Sequence, residues 1–346
     1  MNAIRRGWCP SAFEPMASGD GLLVRIKPHL ATITAAQARA LAAASLRFGN
    51  GAIGLTNRGN FQVRGLREGT MAQFTRAMLD AALVSPDPVV ERARNVIVSP
   101  LVGDDPGCAE ATREIALIAE SLLALSKGLD PKFAIAVDGG GILPLGPTTA
   151  DIAITLSSPP PHAGEGRGEG AQGEGASYAR GVGFHHYAGP PRGAFGLAPA
   201  FGALDAEGLG GLASLCEAYG NGTLRISPWR IVFITGVRSE HATKRAAAAH
   251  GLITTPTDPR LRVIACPGAP ACVQATVPTR LDIATNATIH ISGCAKGCAH
   301  PSAAPITLVG RNGRYDLIRN GRAGDTPHVE SLTLAQAAAL IAEDAA

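Results

Sequence analysis

The chain repeats itself. Residues 48–66 read FGNGAIGLTNRGNFQVRGL and residues 219–237 read YGNGTLRISPWRIVFITGV, in step at a constant offset of 171 with no gap. Each copy opens with an aromatic residue and Gly-Asn-Gly, alternates through a β-rich segment, and reaches a glycine near its end, Gly65 or Gly236. Gly-Asn-Gly suits a tight turn that needs positive φ, and the β-branched alternation after it suits strands. An Ala/Leu-rich helical stretch precedes each copy, TAAQARALAAASLRF in the first and AEGLGGLASLCEAY in the second. A coincidental pair of hairpins would not repeat the helix as well. The unit is strand–helix–turn–strand–strand, half of an α+β sandwich present twice, and the two halves are expected to pair about a pseudo-two-fold axis.

Each copy is followed by a second kind of segment. After the first come VVERARNVIVSPL (89–101), a helix over 107–128 and a strand in KFAIAVDGGG (132–141). After the second, LRVIACPGAPAC takes the corresponding place, so the chain reads A–B–A′–B′. Expected boundaries are 1–80 and 178–245 for the half-units, 85–156 and 255–346 for the lobes. Residues 157–177, SSPPPHAGEGRGEGAQGEGAS, lack the apolar surface to order themselves and are read as a flexible surface insertion. SLTLAQAAALIAEDAA is expected to form an amphipathic C-terminal helix that starts at a Ser or Thr cap.

A length of 346 residues calls for more than one core. Aromatics make up 4% of the chain, and the net charge of +3 comes with no polybasic stripe, which argues against nucleic-acid binding. No apolar run approaches the roughly 20 residues needed to cross a bilayer. The start, MNAIRRGWCPS, has no apolar h-region, so it does not read as a secretory signal. The expected compartment is the cytoplasm, where thiols stay reduced and clustered cysteines more often hold metal than pair.

Four of the seven cysteines are concentrated in CPGAPAC (266–272) and SGCAKGCAHP (292–301). Three readings compete for Cys266, Cys272, Cys294 and Cys298. Structural zinc favours tighter pairs than C-x5-C, and disulfides fit a reducing compartment poorly. A 4Fe–4S cluster needs four thiolates around a wide pocket lined by backbone N–H groups. Gly268, Gly293 and Gly297 would let the backbone come that close, and Pro267 and Pro270 would stiffen the first loop. The cluster reading is favoured, with zinc the alternative.

The cysteine words, the repeated half-units, RNVIVSPL and PKFAIAV together resemble the sulfite/nitrite reductase superfamily. RRGWCPSAFEPMASGDGLLVRI, LTNRGNFQVRGL and SGCAKGCAHP most resemble its precorrin-3B synthase family. The resemblance spans nearly the whole chain outside 157–177. It implies an α+β fold in which two pseudo-symmetric ferredoxin-like half-units form one sandwich, with two α/β lobes. The implied activity is O2-dependent hydroxylation of precorrin-3A at C20, with closure of a γ-lactone, in aerobic cobalamin biosynthesis. Electrons would come from an external donor, NADH-linked or of the ferredoxin or flavodoxin type.

A polycarboxylate macrocycle calls for guanidinium forks. The candidates are Arg58 and Arg64 in the first strand pair, Arg225 in the equivalent strand of the second, Arg94 with Asn95, and Lys132. In the reductases, basic residues at the Arg58, Arg94 and Lys132 motif positions bind tetrapyrrole carboxylates. This chain has Gly54 and Ala134 where reductases carry further basic residues, which weakens the case for bound sirohaem. The last cysteine, Cys298, bridges to the sirohaem iron in those enzymes. Sirohaem is expected only under the alternative reading, a sulfite or nitrite reductase. Other classes are an electron-transfer module, which has no need of the second half-unit and its arginines, and a zinc-stabilised binding protein.

Dioxygen chemistry would suit a mononuclear non-haem iron, usually held by two His and a carboxylate, and no ligands for it are assigned from the sequence. Adjacent His185 and His186 would face opposite sides of a strand, and His300 is read as outer to the cluster or at the surface. Cys216 falls on an apolar helix face and reads as core. Cys108 opens a helix, Cys9 is a candidate to line the site, and Asp20 reads as a cap or turn.

Overall fold

The computed structural model describes residues 9–344 apart from 127, 131, 147, 149, 157–178, 188–191, 282 and 284, so the expected insertion at 157–177 lies outside the described residues. The described residues divide into two compact units, 9–16 with 22–255 and 17–21 with 256–344. Among the described residues no helix is long and apolar enough to cross a membrane.

In the larger unit the repeat is realised element by element. Strands β2 (Gly21–Ile26) and β3 (Thr32–Thr34), helix α1 (Ala35–Phe48), and strands β4 (Ala52–Leu55) and β5 (Phe61–Leu66) are followed by α2 (Met71–Asp80); β1 is the short Met16–Ser18 strand before them. The second half has β9 (Gly183–His186), β10 (Gly193–Leu197), β11 (Ala203–Asp205), α5 (Ala206–Tyr219), β12 (Thr223–Ile226), β13 (Val232–Val237) and α6 (Glu240–Ala249). Both long helices start at matched caps: Thr34 accepts from the Gln37 N–H in a capping box, and Asp205 accepts from the Gly208 N–H.

Gly-Asn-Gly is more than a turn. Gly51 and Gly222 take φ of 79° and 81°, and the closing glycines Gly65 and Gly236 take 66° and 71°. The Asn50 and Asn221 side chains accept from the Ala52 and Thr223 N–H groups and pack against those closing glycines. A Cβ at Gly65 would lie 2.1 Å from the Asn50 amide carbon, and one at Gly236 would lie 3.0 Å from the Asn221 Cβ. The two ends of each copy thus lock together, which is why asparagine and glycine recur in phase.

The halves are joined by strand exchange. β3 of the first half pairs antiparallel with β12 of the second (Thr32↔Arg225), and β11 of the second pairs with β4 of the first (Ala203↔Gly54). Helices α1 and α5 pack on each other, and one continuous core includes Ile26, Leu41, Phe61, Phe195, Leu209 and Ile234. Cys216 belongs to that core, fully buried, and burial pushes its thiol up to about 11.

Between the halves, α3 (Pro88–Ala93), β6 (Val96–Val98), α4 (Thr112–Leu125), β7 (Ile135–Asp138) and β8 (Ile152–Thr155) form a lobe around a parallel sheet ordered β6-β7-β8. The smaller unit holds β14 (Val263–Ala265), β15 (Ile289–Ser292), β16 (Ala304–Arg311), β17 (Arg314–Gly321), β18 (Val329–Leu332) and α7 (Leu334–Asp344). Its sheet is mixed: β14, β15 and β16 run parallel, while β16, β17 and β18 alternate. Helix α7 starts where Thr333 and Gln336 form a capping pair.

Candidate functional site

Parallel pairing decides where the cysteines go. β14 runs into Cys266 and β15 into Gly293 and Cys294, and because Ala265 pairs with Ile291 in parallel, both words leave the same end of the sheet. The loops are then tied together. The Gly293 N–H donates to the Cys266 sulfur at 3.2 Å, the Thr276 N–H to the Gly293 carbonyl at 3.0 Å, and Thr279 Oγ1 to the Cys266 carbonyl. The Ser292 hydroxyl donates to the Cys294 carbonyl, and the Ser18 hydroxyl donates to the Ala271 carbonyl.

Two glycines let the loop backbones meet closely. A Cβ at Gly293 would come within 2.4 Å of the Ala275 Cβ, and one at Gly268 (φ 69°) within 2.5 Å of Thr279 Oγ1. Backbone therefore approaches sulfur as the glycines require, and one N–H already points at a thiol.

All seven cysteines are free. Cys266 is buried, Cys272 and Cys294 half-buried and Cys298 exposed at its edge. Crowding by the protein raises the Cys298 thiol, and charge on Cys294, Cys266 and Cys272 raises it further, so the four sulfurs share one electrostatic neighbourhood. Among the described residues no three His, Cys, Asp or Glu side chains converge on a point that could hold a single metal ion. A cubane makes a different demand, since each thiolate binds its own iron at a separate corner. The four sulfur donors, spread around a glycine-lined loop pair with an inward N–H, fit that group. No ligand set for a mononuclear iron is assembled among the described residues.

Behind these loops lies a residue that pattern reading missed. His290, on β15, is fully buried, and neither ring nitrogen has a hydrogen-bond partner among the described residues. Its ring meets that of His300 edge to face at 5.6 Å. Burial, with His300 adding to it, pushes His290 down to about 4, so the ring is neutral near pH 7. His300 is itself 8% exposed, an interior residue rather than a surface one. The only sequence signal for His290 is a polar residue amid the β-branched run before Ser292-Gly293-Cys294.

In the larger unit the six basic and amide candidates separate into distinct settings. Arg58 sits on the β4–β5 hairpin, where Gly59 takes φ of 67° and would place a Cβ 3.2 Å from the Ile226 carbonyl oxygen. Its Nη1 donates to the Lys132 carbonyl at 2.8 Å, so these two candidates lie together. Arg58 also lines a small recess with Pro28, Asn60, Val96 and Pro228. Arg64 is buried within β5.

Arg94 turns inward. Its guanidinium donates to Glu91 Oε2 at 2.7 Å and to the Lys27 carbonyl at 2.8 Å, with Glu91 fully buried. Asn95, next in sequence, is buried, and its carbonyl accepts from the Ile135 N–H. Arg225 donates to Asp104 at 2.8 Å through Nε and to Thr32 Oγ1 at 2.6 Å, on the exchanged strand. The structure thus brings Arg58 to Lys132 but engages Arg94 and Arg225 with carboxylates of the protein. The inward ammonium of Lys27 was invisible in the sequence; it donates to the Glu91 and Arg92 carbonyls, and burial lowers it to about 8. Beside it, Arg25 donates to the Cys9 sulfur at 2.8 Å.

His185 and His186 differ as alternate strand faces must. Burial lowers His185, which bonds the Gly181 carbonyl at 3.0 Å, while His186 is exposed against Phe184.

The duplicated half-unit has the fold of the nitrite/sulfite reductase ferredoxin-like half domain. The family model described as "Nitrite/Sulfite reductase ferredoxin-like half domain" matches residues 14–81 and 190–250, one match per half. The solved NirA protein of Mycobacterium tuberculosis has the same fold, at TM-score 0.60 and 16% identity over 90% of this chain and 77% of that one. Within that class, the chain is 30% identical to the precorrin-3B synthase of Sinorhizobium sp over 94% of its own length and 85% of the relative's. The chain belongs to the precorrin-3B synthase family.

Proposed function

We propose that the protein is an O2-dependent monooxygenase that converts precorrin-3A to precorrin-3B, hydroxylating C20 and closing a γ-lactone from the ring-A acetate. The observation that carries this reading is the similarity to a precorrin-3B synthase along almost the entire chain. Cys266, Cys272, Cys294 and Cys298 would hold a 4Fe–4S cluster, which supplies electrons one at a time when bound. Arg58 and Lys132 would grip substrate carboxylates, because a guanidinium matches a carboxylate through two parallel N–H bonds and an ammonium adds a point charge. Arg64 on β5 and Asn95 before β6 are further candidates, whereas Arg94 and Arg225 would act by holding the walls in place through Glu91 and Asp104. A monooxygenation consumes reducing equivalents, so an external donor is part of the proposal, NADH-linked or of the ferredoxin or flavodoxin type.

Anaerobic purification followed by iron, labile-sulfide and extractable-tetrapyrrole analysis tests the cofactor, and mass analysis of precorrin-3A incubated with O2 and reductant tests the reaction. Iron and sulfide in near-equal amounts, no sirohaem and a product heavier by one oxygen atom are the expected results. Stoichiometric sirohaem would replace this reading with a sulfite or nitrite reductase. Cys272→Ala should lose both the cluster's visible absorption and turnover; survival of the absorption would refute the ligand assignment.

A further inference from the structure

A buried imidazole without partners is an anomaly that needs an occupant. His290 is fully buried, and among the described residues neither ring nitrogen has a hydrogen-bond partner. A neutral imidazole always carries one N–H donor and one lone-pair acceptor, and leaving such a group unsatisfied in the interior costs about 1–3 kcal/mol. Native interiors almost never leave such a group unmatched, so an unmatched one marks an unseen ligand or water.

Its position says which. His290 pairs with Ile264 on one side and Thr307 on the other, in the central strand of the parallel trio. Two residues beyond Ile264 is Cys266, and two residues beyond His290 is Ser292, whose hydroxyl holds the Cys294 carbonyl. The ring lies under the second cysteine loop, with its Cε1 3.7 Å from where a Cβ of Gly297 would be, and Gly297 immediately precedes Cys298. His300, two residues after Cys298, packs its ring against His290 at 5.6 Å. The unmatched imidazole thus sits at the base of the loops that carry all four sulfurs.

We propose that the His290 ring N–H donates a hydrogen bond to a sulfur of the iron–sulfur group, making His290 the positioning residue that sets its reduction potential. This rests on the cluster reading above and goes beyond it, because His290 is not a ligand and contributes no thiolate. A hydrogen bond to cluster sulfur stabilises the added electron and raises the potential, and hydrogen bonds from outside the ligand set tune a metal group's affinity and activity.

The test is an EPR-monitored redox titration of anaerobically isolated holoprotein. With His290→Leu, the ratio of reduced to oxidised cluster at the wild-type midpoint should fall about tenfold, equivalent to about 59 mV for a one-electron couple. His290→Gln, which keeps an N–H donor, should recover part of the shift. An unchanged midpoint in a loaded His290→Leu protein overturns the proposal and leaves an ordered water as the partner. Should the Leu variant fail to take up cluster, wild-type protein labelled with 15N-histidine decides the matter. Pulsed EPR of its reduced cluster should detect coupling to a histidine nitrogen that persists in His300→Gln, and absence of that coupling overturns the proposal. Wild-type protein lacking iron and labile sulfide would instead overturn the cluster reading itself.

Discussion

Replacing Arg94 by Ala should cost stability rather than substrate affinity. In the structure its guanidinium donates to Glu91 Oε2 at 2.7 Å and to the Lys27 carbonyl at 2.8 Å, and the Glu91 side chain is wholly buried. Burial already raises the Glu91 carboxyl, with Arg94 the main counterweight. Truncation would leave that carboxylate with the Ser85 N–H and the charge of Lys27 as its remaining support. Breaking one side of a buried pair costs about 3–5 kcal/mol, and the retained Ser85 bond and Lys27 charge place this case near the lower end, about 3 kcal/mol. Removing both charges in Arg94→Met/Glu91→Leu leaves mainly the Ser85 N–H without its acceptor, about 1–2 kcal/mol. Urea unfolding followed by circular dichroism, run as a double-mutant cycle at constant m, reads these values directly. A loss below about 0.5 kcal/mol for Arg94→Ala, or strict additivity in the cycle, would refute the argument.

Three further outcomes follow from the same structure. Lys27, held near 8 in the folded chain against 10.5 in the unfolded one, binds its proton less tightly when folded. Wild-type stability should therefore rise from pH 8 toward pH 10.5 by up to about 3 kcal/mol relative to Lys27→Met, and parallel pH profiles would exclude this. Gly293→Ala would drive a methyl into the Ala275 Cβ, 2.4 Å away, and should lower the iron and sulfide content of purified protein while the circular dichroism of the rest of the fold persists. Thr34→Ala removes the α1 capping box and should cost about 1 kcal/mol in urea unfolding, with Thr34→Ser close to wild type.

The two copies of the half-unit were legible because their signals are local. A turn that needs positive φ, an alternating strand and a capped Ala/Leu helix each depend on a few consecutive residues, and an exact offset of 171 exposed their duplication. Even the Asn50–Gly65 and Asn221–Gly236 contacts are written in phase, although their meaning appears only when the strands fold back. Strand exchange was not legible. β3 and β11 are three residues each, too short for a periodic signal, and their partners come from the opposite half. The basic residues show the same divide. Arg58, Arg94 and Arg225 look equivalent as arginines near strands, yet Glu91 and Asp104 claim two of them.

What the sequence alone determined is a duplicated α+β body followed by two cysteine words in glycine-rich loops, since turn chemistry and side-chain periodicity act along the chain. Tertiary structure decided the rest. Parallel alignment of β14 with β15 carried both words to one end of a sheet, and strand exchange merged two half-cores into one. Packing turned Arg94 and Lys27 inward and left His290 buried without a hydrogen-bond partner among the described residues. These outcomes depend on which distant groups meet and on the cost of burying charge, and neither is encoded in the spacing of residues along one strand.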